Sequence, residues 1–255
     1  MPKLSLCLET VLTDLDFCDR IKIAADMGFD AFEFWEPEVK DLAKIAGIAR
    51  GAGIPLSICC IKNVRTTPVN LPASIVLENM RESMKIAKDL GCRSLIALAG
   101  DAEGKSDSQK NILIENLKRV ADLAVREEVT VNLEALNSLV DHKGYYLDSS
   151  YAGFEIIKCV GCERIKFLYD IYHMQIMEGN IIGNITRNVD FIGHLHSAGV
   201  PGRHEPHLGE NDYHNIINAI NNVKYQGYLG LEYWPSYDHR QSLADVRKYF
   251  TENCG

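Results

Sequence analysis

The chain has 255 residues, 46% of them hydrophobic and 24% charged, with a net charge of −8. The composition is that of an ordinary folded protein; the acidic balance repels phosphate backbones and speaks against nucleic acid as a partner. No apolar run approaches the roughly 20 residues that cross a bilayer, so no membrane partner is expected either.

Met1 to Glu9 runs straight into a strand pattern, with no long apolar core and no small-residue cleavage site, so no signal peptide is expected. Short apolar, β-branched runs then alternate with longer amphipathic ones. Leu4–Leu8 reads as a strand and Asp14–Met27 as a helix stopped by Gly28. Ala31–Trp35 and Val39–Gly51 form the second strand–helix pair. Pro55–Ile61 is the third strand, and the proline-bearing Lys62–Ala73 is its loop. Ser74–Leu90 is the third helix, with Ser74 as N-cap and Gly91 as stop. Arg93–Ala99, a polar loop and Ser108–Glu128 make the fourth pair. Thr130–Ala135 and Ser150–Val160 make the fifth. Ile165–Asp170 is the sixth strand, and Gln175–Asn188 is helical in part, weakened by Gly179 and Gly183. Phe191–His196 is the seventh strand, with a long loop from Ser197 to about Asn211 before the helix Tyr213–Val223. Tyr228–Tyr233 and His239–Glu252 complete the series.

Strands alternating with helices predict a parallel sheet, and eight such units predict one closed (β/α)8 TIM barrel over residues 1–255. A doubly wound open sheet is the rival. It binds ligand beside a Gly-rich first turn, and the turn here, Glu9-Thr-Val-Leu-Thr13, has no glycine. Cys7, Cys59, Cys60 and Cys92 sit inside apolar runs and read as small buried hydrophobes of a reducing cytoplasm. Cys159-Val-Gly-Cys162 has redox or zinc spacing but lies where a helix ends at Gly161, so capping and burial account for it better.

In such a barrel the C-terminal strand ends converge on one mouth. The fifth strand ends in Glu134, the sixth in Asp170, the seventh in His196 and the eighth in Glu232. A lone acid at a strand end is usually a cap or a salt bridge. Three carboxylates brought together on adjacent strands repel one another unless a cation sits among them. One nitrogen among oxygens suits Mn2+, Mg2+ or Co2+ better than structural zinc, which leaves zinc open but less favoured. His194 points the same way as His196 by the two-residue period of a strand, but lies deeper, as a barrel-layer or supporting residue.

The strings Asn132-Leu-Glu-Ala-Leu-Asn137, Asp170-Ile-Tyr-His-Met-Gln-Ile-Met-Glu-Gly179, Ile192-Gly-His-Leu-His196, Val200-Pro-Gly-Arg-His-Glu-Pro206 and Gly227-Tyr-Leu-Gly-Leu-Glu-Tyr233 resemble the hydroxypyruvate isomerase family, within the xylose isomerase-like barrels that also include ketose 3-epimerases. The resemblance covers most of the chain. It implies that Glu134, Asp170, His196 and Glu232 bind one divalent metal, that Glu134 and Glu232 are the acid/base pair, and that His173 and Arg203 contact substrate oxygens. The implied reaction removes the proton beside the carbonyl of an α-hydroxy carbonyl compound, forms a cis-enediolate and returns the proton to the neighbouring carbon. Arg203, on a loop expected to be mobile, would fork to a carboxylate or to vicinal oxygens.

The chain departs from that family in places. His196 stands where hydroxypyruvate isomerases carry glutamine, and is the ligand type of the epimerases. Ser197-Ala-Gly lacks the usual acid before Val200, and Trp234 stands where lysine is common. The loop with Lys62 and Arg65 is also its own, and these differences are expected to reshape the pocket. The expected partner is thus a small sugar or sugar acid, with a homo-oligomer left open. A 3-epimerase of a free ketose is the alternative. A multi-metal apurinic-site endonuclease-like barrel, with Glu33 and Glu36 as its only second-strand candidates, and a non-catalytic sugar-binding barrel are remote ones.

Overall fold

The computed structural model describes residues 1–102 and 104–253. Eight parallel strands close into a barrel, each hydrogen-bonded to the next and the last to the first. They are β1 (Lys3–Cys7), β2 (Ala31–Phe34), β3 (Leu56–Cys60), β4 (Ser94–Leu98), β5 (Thr130–Glu134), β6 (Ile165–Asp170), β7 (Ile192–Ser197) and β8 (Tyr228–Leu231). The helices are α1 (Phe17–Asp26), α2 (Leu42–Ala52), α3 (Ala73–Asp89), α4 (Asp107–Glu127), α5 (Ser150–Val160), α6 (Ile171–Met177), α7 (Ile181–Asn188), α8 (Tyr213–Asn222) and α9 (His239–Asn253). The expected barrel is therefore present, with every strand of the sequence reading in place.

Helix starts are set by side chains that satisfy the orphan N–H groups of the first turn. Asp16 accepts from the Cys18 amide, Asp41 from Lys44 and Asp212 from Asn215; Ser106 and Gln109 form a reciprocal capping box. These caps explain why α1 and α2 begin later than periodicity suggested and α4 one residue earlier. Ser74 is not a cap: α3 starts behind Pro72, which fixes its own φ and needs no donor. The stretch expected as one weak helix, Gln175–Asn188, is two. The first begins at Ile171, directly off β6, and the chain breaks at Gly179 in a left-handed conformation. At Gly161, also left-handed, α5 ends, with Cys159 exposed and Cys162 unpaired, so the Cys159–Cys162 spacing reflects a helix terminus.

Large aliphatic and aromatic side chains fill the space between barrel and helices: Phe32, Phe34, Ile58, Phe167, Tyr169 and Phe250 are all essentially inaccessible. Burying each stabilises the fold by about 1.5–3 kcal/mol. The barrel interior is less apolar. Ser5 and Ser57 hydrogen bond to each other at 2.6 Å, and Glu33, His194 and His196 lie above them. Register places His196 beside Asp170 on one side and beside Gly230 on the other. A Cβ at Gly230 would lie 2.5 Å from both Glu33 Oε1 and His196 Cδ2, so glycine there lets this polar layer close against the strand.

Candidate active site

Glu134 from β5, Asp170 from β6, His196 from β7 and Glu232, just past β8, each offer one ligand atom, and these atoms all lie within 4.8 Å of one another. All four residues are buried. His196 Nδ1 is 3.3 Å from Glu232 Oε2, 3.5 Å from Glu134 Oε1 and 4.0 Å from Asp170 Oδ2. It makes no hydrogen bond. A buried ring nitrogen facing three carboxylates without a hydrogen bond is what a cation would complete, and the O3N donor set fits a hard or borderline divalent ion. These four residues could hold a metal ion. The four strand ends chosen from sequence are therefore the ones that the barrel brings together.

Asp170 does two things at once. Its Oδ1 accepts from the amides of Tyr172 (2.8 Å) and His173 (3.3 Å), capping α6, while Oδ2 faces the cluster. The cap locks the carboxylate's rotamer. It also explains why the helix starts without a connecting turn. Burial pushes Asp170 up to about 7, against the pull of Arg203 and His196. Burial likewise raises Glu134, with His196 opposing. At Glu232 burial is outweighed by Arg203 and His196, which hold the carboxyl well below its ordinary range. The carboxylates Glu232 and Glu33 in turn overcome burial at His196 and raise it.

Arg203 lies above the cluster. Its Nη2 pairs with Glu232 Oε2 and is 3.6 Å from Asp170 Oδ2, and its guanidinium sits 5.2 Å from the centre of the Tyr172 ring. The loop that carries it is pinned rather than loose. Gly199 N–H donates to His204 O (2.8 Å) and Trp234 N–H to Arg203 O (2.8 Å). The Glu205 carboxylate accepts from the Ser236 amide and hydroxyl and from the Ser242 hydroxyl. His173 is fully buried beside Asp170, with Nε2 3.5 Å from Oδ2.

The cavity above these residues has a volume of about 270 Å³ and reaches from Glu134, His173, Arg203 and Glu232 up to Arg65, Asp101 and His142 at the mouth. Cys60, Val64, Leu98 and Leu136 supply an apolar wall. Of the side chains expected to shape it, Arg65 does, held by Glu36 at 3.1 Å. Lys62 instead turns outward to Glu82 (2.7 Å). Trp234 is 42% exposed and does not line the cavity; its backbone is tied to the Arg203 loop. The tryptophan that matters is Trp35, whose Nε1–H donates to Glu232 Oε1 at 2.7 Å.

Glu33 entered the sequence reading only as a second-strand candidate of the remote multi-metal alternative. Its Oε2 is 3.0 Å from His194 Nε2, and its Oε1 is 3.1 Å from His196 Nε2. Burial pushes its carboxyl up, but the two imidazoles outweigh that and hold it down at about 2. Neither His196 Nε2 nor Glu33 Oε1 makes a hydrogen bond, so the Glu33 carboxylate acts on the His196 ring by its charge at 3.1 Å, on the side away from the three site carboxylates. His194 is thus a supporting residue, as its depth in the strand implied.

Acid and imidazole side chains that could hold an ion, gathered at the C-terminal mouth of a closed parallel barrel, stand where barrel enzymes carry their active sites. The xylose isomerase-like TIM barrel family matches residues 21–252, and the chain belongs to that family. Hydroxypyruvate isomerase of Escherichia coli K12 is 29% identical over 254 residues, covering 92% of this chain and 94% of that protein. The 2-oxo-tetronate isomerase of Pectobacterium atrosepticum is 29% identical over 249 residues, covering 92% and 93%. Among solved structures, one described as AP endonuclease, family 2, from Brucella melitensis superposes with a TM-score of 0.91 at 27% identity, covering 98% of this chain and 99% of that one. The protein is an isomerase of this family. Among the described residues no helix is long and apolar enough to cross a membrane.

Proposed function

We propose that the protein isomerises a small α-hydroxy carbonyl acid by proton transfer between neighbouring carbons. The observation that carries this is the buried quartet Glu134, Asp170, His196 and Glu232 at the floor of a small cavity. These four would hold one divalent ion, Mn2+, Mg2+ or Co2+ before Zn2+ by their donor chemistry. Bound there, such an ion supplies a Lewis acid that polarises a substrate carbonyl.

The residues of the chain do the rest. Glu134 and Glu232 both face the cavity, so one carboxylate takes the proton from the carbon beside the carbonyl. The electron pair moves onto the carbonyl oxygen, giving an enediolate. Passage of the hydroxyl proton to the former carbonyl oxygen, and return of the abstracted proton to the former carbonyl carbon, complete the isomerisation. Trp35 fixes Glu232, and Asp170, locked by its cap, acts only as a ligand. His173 and Arg203 hold substrate oxygens. The cavity is small for a ligand site, which favours a short substrate. Its two guanidinium groups, Arg203 deep and Arg65 at the mouth, favour one bearing a carboxylate.

Epimerisation of a free ketose uses the same groups, and His196 is the feature that favours it; the loss of Trp234 from the cavity removes its other support. Incubation of the Mg2+- or Mn2+-loaded enzyme with hydroxypyruvate, 2-oxo-tetronate and free ketoses in D2O, followed by NMR, decides the matter. Deuterium uptake with aldehyde–ketone interconversion of an acid supports the proposal. Uptake only into ketoses, with inversion at one carbon, moves the protein to the epimerases, and no uptake into any of them contradicts both readings.

A further inference from the structure

Among the described polar side chains deep in the cavity, His173 Nε2 is fully buried and makes no hydrogen bond, with Asp170 Oδ2 3.5 Å away. The other ring nitrogen is over-supplied. Nδ1 receives the backbone N–H of Asn137 at 3.2 Å and the side-chain Nδ2 of Asn137 at 2.7 Å. The amide cannot be turned over. Its Oδ1 accepts from the backbone N–H groups of Val140 (3.1 Å) and Asp141 (2.8 Å), and its other Nδ2 hydrogen goes to Asp141 Oδ2 (2.7 Å). Asp141 is held in turn by the Tyr172 hydroxyl at 2.9 Å. Two N–H donors aimed at one ring nitrogen require a lone pair there.

We infer that Asn137 is a positioning residue that places the His173 proton on Nε2, so that His173 enters the reaction as a neutral N–H donor aimed at a substrate oxygen rather than as an acid or base. A donor fixed before substrate arrives needs no reorganisation when negative charge develops on the oxygen it faces. The ring is held from a second side by the edge of His142, with centroids 5.3 Å apart. The inference rests on reading the cavity as the substrate site, but the proton's position does not depend on turnover.

The test is 15N–1H NMR of the 15N-histidine-labelled, Mg2+-loaded chain, with His173 identified by the signals lost in His173→Gln. The neutral Nε2–H pattern is expected. An Nδ1–H or doubly protonated ring at neutral pH overturns the inference. Asn137→Asp keeps the oxygen that Val140 and Asp141 need but turns an acceptor toward Nδ1. The proton is then expected on Nδ1, with kcat lowered about 100-fold, as for loss of one oxyanion donor, and KM little changed. If Asn137→Asp does not fold, Asn137→Ser, which removes the side-chain donor to Nδ1 together with the Oδ1 acceptor and leaves only the backbone N–H facing Nδ1 at 3.2 Å, is expected to give a mixture of tautomers. A folded variant that keeps the wild-type pattern refutes the role of Asn137. The expected spectra with no deuterium uptake into any substrate leave the assignment standing and refute the isomerase reading instead.

Discussion

Glu33 Oε1 lies 3.1 Å from His196 Nε2, on the far side of the ring from the three carboxylates of the site. The contact spans 163 residues of sequence and turns Nδ1 toward the cluster. Glu33→Gln keeps the shape of the side chain but loses the charge that acts on the ring. Metal affinity, measured by calorimetric titration with Mn2+, is expected to fall about 10- to 100-fold. An unchanged affinity would mean that His196 is oriented by packing alone.

Arg203 compensates part of the charge of the three buried carboxylates, and an ion among them would compensate the rest. Added Mn2+ at about 100 times its dissociation constant is expected to stabilise the protein by about 2.7 kcal/mol, and a chelator to reverse it. Thermal unfolding with and without the ion reads this directly. In Asp170→Asn the increment is expected to shrink sharply, and an equal increment there would place the ion elsewhere.

Trp35 donates its indole N–H to Glu232 at 2.7 Å. A hydrogen bond to a charged group contributes about 1.5–3 kcal/mol. Trp35→Phe keeps the ring and removes the donor, so kcat/KM is expected to fall about 10- to 100-fold, with the melting temperature lowered by about 3–12 °C. A large loss of stability with intact kinetics would make the bond a packing feature.

Arg65 stands at the cavity mouth with only its Nε bonded to Glu36 among the described contacts. If it receives the substrate carboxylate, Arg65→Ala raises KM for an acid substrate about tenfold and leaves kcat unchanged, the pattern of lost uniform binding. The same change is expected to leave the weak exchange of a neutral ketose untouched. An equal effect on both would assign Arg65 to the loop's structure.

The barrel and its four site residues were legible because both follow from short-range rules. Period and cap signals mark the strands, and parallel strands of a closed barrel necessarily gather their C-terminal ends. The start of α6 was not legible, because Asp170 serves as its own cap and no turn residue intervenes. The pairings made by Glu33 and Trp35 escaped for a different reason. Their partners His196 and Glu232 are brought to them only by closure of the sheet across β1 and β8. Trp234 misled because a bulky residue beside a site acid suggests a pocket wall, whereas the chain turns there to anchor Arg203. Asn137 stood in a quoted string, but its amide orientation is set by two backbone groups that only the folded loop presents.

The proposed proton transfer falls to Glu232, buried between Arg203, Trp35 and His196 in the cluster that would hold the ion. The most direct measurement is deuterium exchange from D2O into hydroxypyruvate or 2-oxo-tetronate, whichever exchanges, catalysed by Mn2+-loaded Glu232→Gln, with folding checked by circular dichroism and metal content measured on the same sample. Exchange is expected to fall at least about 1000-fold, beyond what loss of a single hydrogen-bond donor produces. A folded, metal-loaded Glu232→Gln that exchanges protons at the wild-type rate would contradict it.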